Sequence, residues 1–132
     1  MAVKSVVKKH QSHEEALQQI EREFPFLTER EFANSLADPK QPSCMGLYLS
    51  GKLIGIRRPD LRFPSFQLDR KTHLIRPSIA ELLSLVRENN RSDIRITCWL
   101  FQPSPYLDDA RPVDCLERTS EVLDAARNLR EW

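Results

Sequence analysis

The chain has 132 residues, with 20 Lys+Arg against 19 Asp+Glu and a formal net charge of +1, a length that allows one domain or a small module with an arm. With 40% hydrophobic and 30% charged residues it has enough apolar side chain for a core, which excludes disorder by composition. No run approaches the roughly 18 apolar residues of a membrane span, and the basic start MAVKSVVKKH lacks the apolar run of a signal peptide, so the expected location is cytoplasmic, without membrane contact.

Residues 1–11 read as a flexible basic arm. Ser12-His13-Glu14-Glu15 has the pattern of a capping box, and Ala16, Leu17, Ile20 and Phe24 follow at helical spacing until Pro25. A second box, Thr28-Glu29-Arg30-Glu31, predicts a short helix over 28–37 with Phe32, Ala33 and Leu36 inward, and Leu27 and Phe32 stand at the spacing of a hydrophobic staple. Another short helix is expected over 43–50, with Gly51 as its stop. Two short helices separated by a few residues have helix-turn-helix spacing. Lys52–Arg58 and Phe63–Leu68 alternate loosely and read as two short strands able to form a wing.

Pro77 and the apolar set Ile79, Leu82, Leu83 and Val86 predict a helix over 78–89. Ser92 and Asp93 can cap the next element, 94–101, where Ile94, Ile96, Cys98 and Leu100 suit a strand as well as a helix. Pro103 and Pro105 end it in either case. Asp108-Asp109 marks a turn, Arg111–Leu116 suits one helical turn with Pro112 in first position, and a last helix over 120–129 would bury Val122, Leu123, Ala126 and Leu129. The expected fold class is mainly α. The parts are an arm over 1–11, a helix-turn-helix-like module with a short β-hairpin over 12–69, and a small helical domain over 70–132.

Signals for catalysis are poor. His10 and His13 lie in or beside the arm and His73 in a polar turn, away from the apolar surroundings that tune an imidazole as a base. Cys44, Cys98 and Cys115 show no CxxC spacing and suit buried free thiols better than a disulfide framework or zinc site. The glycines are Gly46, Gly51 and Gly55, and no phosphate-cradling GxGxxG or GxxxxGK[ST] occurs. Asp108, Asp109 and Asp114 match no metal loop. Neither an enzyme nor a cofactor is expected.

Charge divides the chain unevenly. Residues 1–76 carry 13 Lys+Arg against 9 Asp+Glu, and 77–132 carry 7 against 10, which suggests two surfaces with different partners or simply a solvated charged face. Lys40, Lys52, Arg57, Arg58 and Arg62 are the candidate contacts to DNA phosphates. The segment 43–50 has no Arg, Lys, Asn or Gln to read a base edge. The helix pair is therefore either a phosphate-contacting unit or a degenerate one kept for packing or dimerisation.

The last third is the most specific. Trp99-Leu100-Phe101-Gln102-Pro103-Ser104-Pro105-Tyr106-Leu107, then Arg111-Pro112-Val113-Asp114-Cys115-Leu116, then Val122-Leu123-Asp124-Ala125-Ala126-Arg127 stand in order. Physically, the prolines stiffen the chain, Leu107, Val113 and Leu116 can pack inward, Asp114 can accept from nearby backbone amides, and Trp99 suits the core better than a contact surface. This set resembles the toxin-binding domain of Xre/MbcA/ParS-type antitoxins, and Leu53–Arg58 with Phe63-Pro64-Ser65-Phe66-Gln67-Leu68-Asp69 resembles the segment joining that domain to a helix-turn-helix. Ser104 stands where the family usually has Asn, and Asp108-Asp109 where it has a small or Gly-rich turn.

The resemblance implies an antitoxin for a RES-domain toxin that consumes NAD or uses it for ADP-ribosylation. It implies occlusion of the toxin's NAD site, with Tyr106, Arg127, Asn128, Arg130 and Trp132 at the toxin. It further implies a homodimeric N-terminal half on operator DNA. The alternative expectation is a stand-alone winged-helix or helix-turn-helix transcriptional regulator.

Overall fold

From its start to Pro25 the chain has neither Gly nor Pro, and it forms one helix, α1 (Ala2–Glu23). The computed structural model describes residues 2–37, 43–87 and 92–128, with the backbone alone for 2–12 and Arg87. α1 passes through the segment expected as an arm, so Ser12 lies inside a helix and does not begin one; nothing in 2–11 interrupts helical hydrogen bonding. Among its described side chains Leu17 and Ile20 are buried, with Ala16 and Phe24 beside them.

β1 (Phe26–Leu27) follows Pro25 and leads into α2 (Glu29–Ser35). The capping box forms as expected: the Glu31 amide donates to Thr28 Oγ1 at 3.1 Å, and the Thr28 amide donates to Glu31 Oε1 at 2.8 Å. Leu27 packs on the small cluster that contains Phe32, which completes the staple. α3 (Cys44–Leu49) is capped by Ser43, whose hydroxyl accepts from the Gly46 amide at 3.0 Å. Gly51 ends it at φ 80, with the Lys52 amide on the Leu47 carbonyl and the Gly51 amide on the Tyr48 carbonyl, a Schellman closure.

The hairpin is shorter than the sequence suggests. β2 (Ile56–Arg57) pairs antiparallel with β3 (Leu61–Pro64), and β1 adds to the other edge of β3 to give a three-stranded antiparallel sheet in the order β1-β3-β2. The rest of the expected second strand turns into a 3-10 segment, Ser65–Gln67. Gln67 is the reason. Its side chain is fully buried, accepts from the Ile54 amide at 2.7 Å and donates to the Ile54 and Pro64 carbonyls at 3.0 and 3.1 Å. One side chain thus satisfies backbone groups that a longer ladder would have paired.

α4 (Pro77–Arg87) begins at its proline, and α5 (Asp93–Leu100), capped by Ser92, makes the ambiguous segment a helix that ends before Phe101. Two 3-10 turns, Pro105–Leu107 and Pro112–Cys115, lead into α6 (Thr119–Arg127), which packs along α4 and against the first of those turns. Among the described residues no helix is long and apolar enough to cross a membrane.

Two apolar clusters hold these elements. The small one joins Phe32, Cys44, Leu47, Leu53 and Phe63 under the helix pair and hairpin. The large one unites Leu17 and Ile20 of α1, Ile54, Ile56 and Phe66 of the middle segment, and the inward faces of α4, α5 and α6. It therefore takes residues from both sides of the boundary expected at 69/70. Gly55 sits at the seam. Its amide donates to Asp93 Oδ2 at 3.0 Å, and a Cβ there would come within 2.8 Å of the Tyr48 ring and 2.9 Å of Leu61.

Candidate functional site

The C-terminal motif folds as a closed unit. Trp99 is 8% exposed and belongs to the core, as do Leu100, Leu107, Val113 and Leu116. Ser104 caps the next turn: its hydroxyl accepts from the Tyr106 amide at 3.3 Å, while its carbonyl accepts from the Leu107 and Asp109 amides at 3.0 and 2.8 Å. The chain then turns through Asp108 (φ 53) and Asp109 (φ 64), left-handed positions that Asp tolerates better than most residues. That turn leaves Tyr106 standing out, 59% exposed.

Arg111 ties this unit to α1. Its guanidinium grips Glu23 at 2.7 and 3.0 Å and Asp114 at 2.9 and 3.1 Å, and lies over the Phe101 ring at 5.2 Å. Asp114 thus accepts from a side chain and not from the backbone amides expected, because Arg111 offers two parallel N–H groups three residues away. The Arg111 hydrogen bonds hold the Glu23 carboxyl below its ordinary range, and those to Glu23 and Asp114 hold Arg111 protonated more firmly than usual.

The basic hairpin is less uniform than its composition implies. Lys52 and Arg57 are exposed and Arg62 is half-buried. Arg58 is not a free cation: its Nη1 donates to both Glu14 oxygens at 2.9 and 3.0 Å, and Nη2 lies 3.6 Å from Glu21. Glu14 and Glu21 sit two helical turns apart on one face of α1, so they close on Arg58 from that side. Arg58, expected along phosphates, here fastens the hairpin to α1. Lys40 lies outside the described residues. The exposed part of α3 consists of Gly46 and Leu49, the latter 73% exposed.

At the far end, Arg127 pairs with Asp124 at 2.9 Å and Asn128 Nδ2 donates to the Asp124 carbonyl at 2.8 Å, so both close the end of α6. Arg130 and Trp132 lie outside the described residues. No protein-family model, curated protein or solved structure matches the chain.

Tyr106 and the Arg111–Asp114 motif are brought into one unit with α6, while Lys52, Arg57 and Arg62 belong to the hairpin half. The three cysteines are buried free thiols, each pushed up from its ordinary pKa by burial. Among the described residues no group of His, Cys, Asp and Glu is placed to hold a metal ion. Sequence reasoning missed Gln67, Glu23 and Glu14. Their partners lie 13, 88 and 44 residues away, beyond what local periodicity can signal.

Proposed function

We propose that the chain is an antitoxin that binds a RES-domain, NAD-consuming or ADP-ribosylating toxin and occludes its NAD site. The observation that carries this reading is the split within the motif. Trp99, Leu107, Val113 and Leu116 are buried, while Tyr106 is held outward on a turn braced against α6. An aromatic side chain on a backbone fixed by its own hydrogen bonds loses little entropy on docking, which favours a protein contact surface. In this reading α6 leads the chain end 127–132 into the toxin. The chain inhibits by contact and is not itself an enzyme.

The test is co-expression with the adjacent toxin gene, purification of the complex and an NAD-consumption assay. Removing 127–132 is expected to abolish inhibition and leave the circular dichroism spectrum unchanged. Full inhibition by the truncated chain would remove the chain end 127–132 from the proposal and move the contact to the surface of 78–101.

A second reading, a DNA-binding homodimer that represses its own operon or acts alone, is favoured by the capped pair α2–α3 followed by a hairpin with Lys52 and Arg57 exposed. Lys52→Glu with Arg57→Glu is expected to abolish salt-sensitive binding to upstream DNA and spare toxin inhibition. Unchanged DNA affinity would make this basic stretch a solvated face only.

A further inference from the structure

A cleft of about 350 Å³ opens where the end of α1, the 66–76 segment and the Pro112–Cys115 turn meet, remote in chemistry from both surfaces above. That volume is at the lower end of the ~300–1,000 Å³ usual for small-molecule sites. Its apolar lining is Phe24, Phe66 and Val113, and its cations are Arg70 and Arg76. Arg70 is set by Phe24, its guanidinium carbon 5.4 Å from the ring centroid, and carries no salt bridge among the described residues. Arg76 is only loosely held: Nη1 is 3.9 Å from Asp69 Oδ2, and its buried Nε has no hydrogen-bond partner. A guanidinium with no carboxylate closer than 3.9 Å among the described residues is a ready partner for an anionic group in the cleft.

Three carboxylates also line the cleft, and their engagement decides its net character. Both oxygens of Glu23 and both of Asp114 are taken by Arg111. Asp69, behind Arg76, accepts from the Lys71 and Thr72 amides at 2.8 and 3.2 Å. Glu117, on the rim, is exposed and has no ion pair among the described residues. Glu23 and Asp114 are thus engaged by Arg111, Glu117 stays unpaired on the rim, and Arg70 has no carboxylate at salt-bridge distance among the described residues.

We propose that this cleft binds a small organic anion, its carboxylate or phosphate on Arg70 and Arg76 and its apolar body on Phe24, Phe66 and Val113. Such a ligand bridges the 66–76 segment and the C-terminal motif, and the inference does not rest on the antitoxin reading. The experiment titrates the full chain with benzoate, phenyl phosphate, acetate and inorganic phosphate at constant ionic strength, following backbone amide and arginine Nε–H NMR signals. Benzoate, phenyl phosphate or both are expected to give saturable shifts at Phe66, Val113 and Arg76. Acetate and inorganic phosphate should bind at least about tenfold more weakly for lack of the apolar contact. Arg70→Gln and Arg76→Gln should each weaken the aromatic anion by about tenfold, with the remaining spectrum unchanged. Arg70 is exposed, so its replacement keeps the test valid if Arg76→Gln disturbs the fold. Preference between the carboxylate and the phosphate identifies the anionic group. Non-saturating shifts up to about 20 mM, equal response to the small anions, or saturable binding undiminished in Arg70→Gln would each overturn the site.

Discussion

Gln67 shows how much one buried polar residue can organise. It answers the amide and carbonyl of Ile54 and the carbonyl of Pro64 from inside the core. Gln67→Leu keeps the bulk and removes all three bonds, stranding those backbone groups; the expected loss is about 2–3 kcal/mol, measured by urea denaturation. The Glu23–Arg111 pair makes a smaller, pH-dependent contribution. Arg111 lowers the Glu23 pKa on folding, so its stabilisation is present above the ordinary glutamate range and is lost as pH falls through the lowered value. Glu23 is 44% exposed, which limits the pair to under about 1 kcal/mol. The thermal midpoint should therefore fall less steeply between about pH 6 and about pH 3 in Glu23→Gln than in the parent chain. Glu31 and Asp69, lowered by hydrogen bonds from Thr28 and from the Lys71 and Thr72 amides, act in the same direction and remain in both proteins.

At the scale of elements, helices announced by a cap or a proline form as announced, except at Ser12, which lies inside α1. The Thr28 box is the clearest, and Thr28→Ala should cost about 1 kcal/mol by chemical denaturation, with local loosening of α2 in amide exchange. Ser43, Pro77, Ser92 and Pro112 mark their elements equally well, because capping is chemistry within three or four residues. What local chemistry does not carry was not legible. β1 is two residues long and exists through pairing with Phe63 and Pro64. The helix-or-strand ambiguity of 94–101 dissolves only once Ile96 to Leu100 are buried together, a tertiary outcome. The candidate sites divide the same way. Outward Tyr106 and inward Trp99 follow from their neighbours, whereas the capture of Arg58 by Glu14 depends on how α1 lies against the hairpin.

For the whole molecule, the decisive feature is the large core shared by α1, the middle segment and α4–α6. Phe66 sits within it, edge-on to Phe24 and Phe101 at 6.1 and 5.6 Å. Phe66→Ala should cost about 3–5 kcal/mol. Parent and variant should each unfold in one transition, with near-ultraviolet and far-ultraviolet circular dichroism curves coinciding; separated curves would mean that the two halves fold independently. The Arg111 bridge to Glu23 gives this shared core a genetic corollary. A recombination event that imported a new C-terminal recognition segment would also bring a foreign partner for α1, so the crossover would be tolerated only if the incoming sequence matched Leu17, Ile20 and Glu23. If the antitoxin proposal holds, partner specificity should therefore change residue by residue on the exposed turn around Tyr106, where Asp108 and Asp109 are exposed, more readily than by exchange of whole segments.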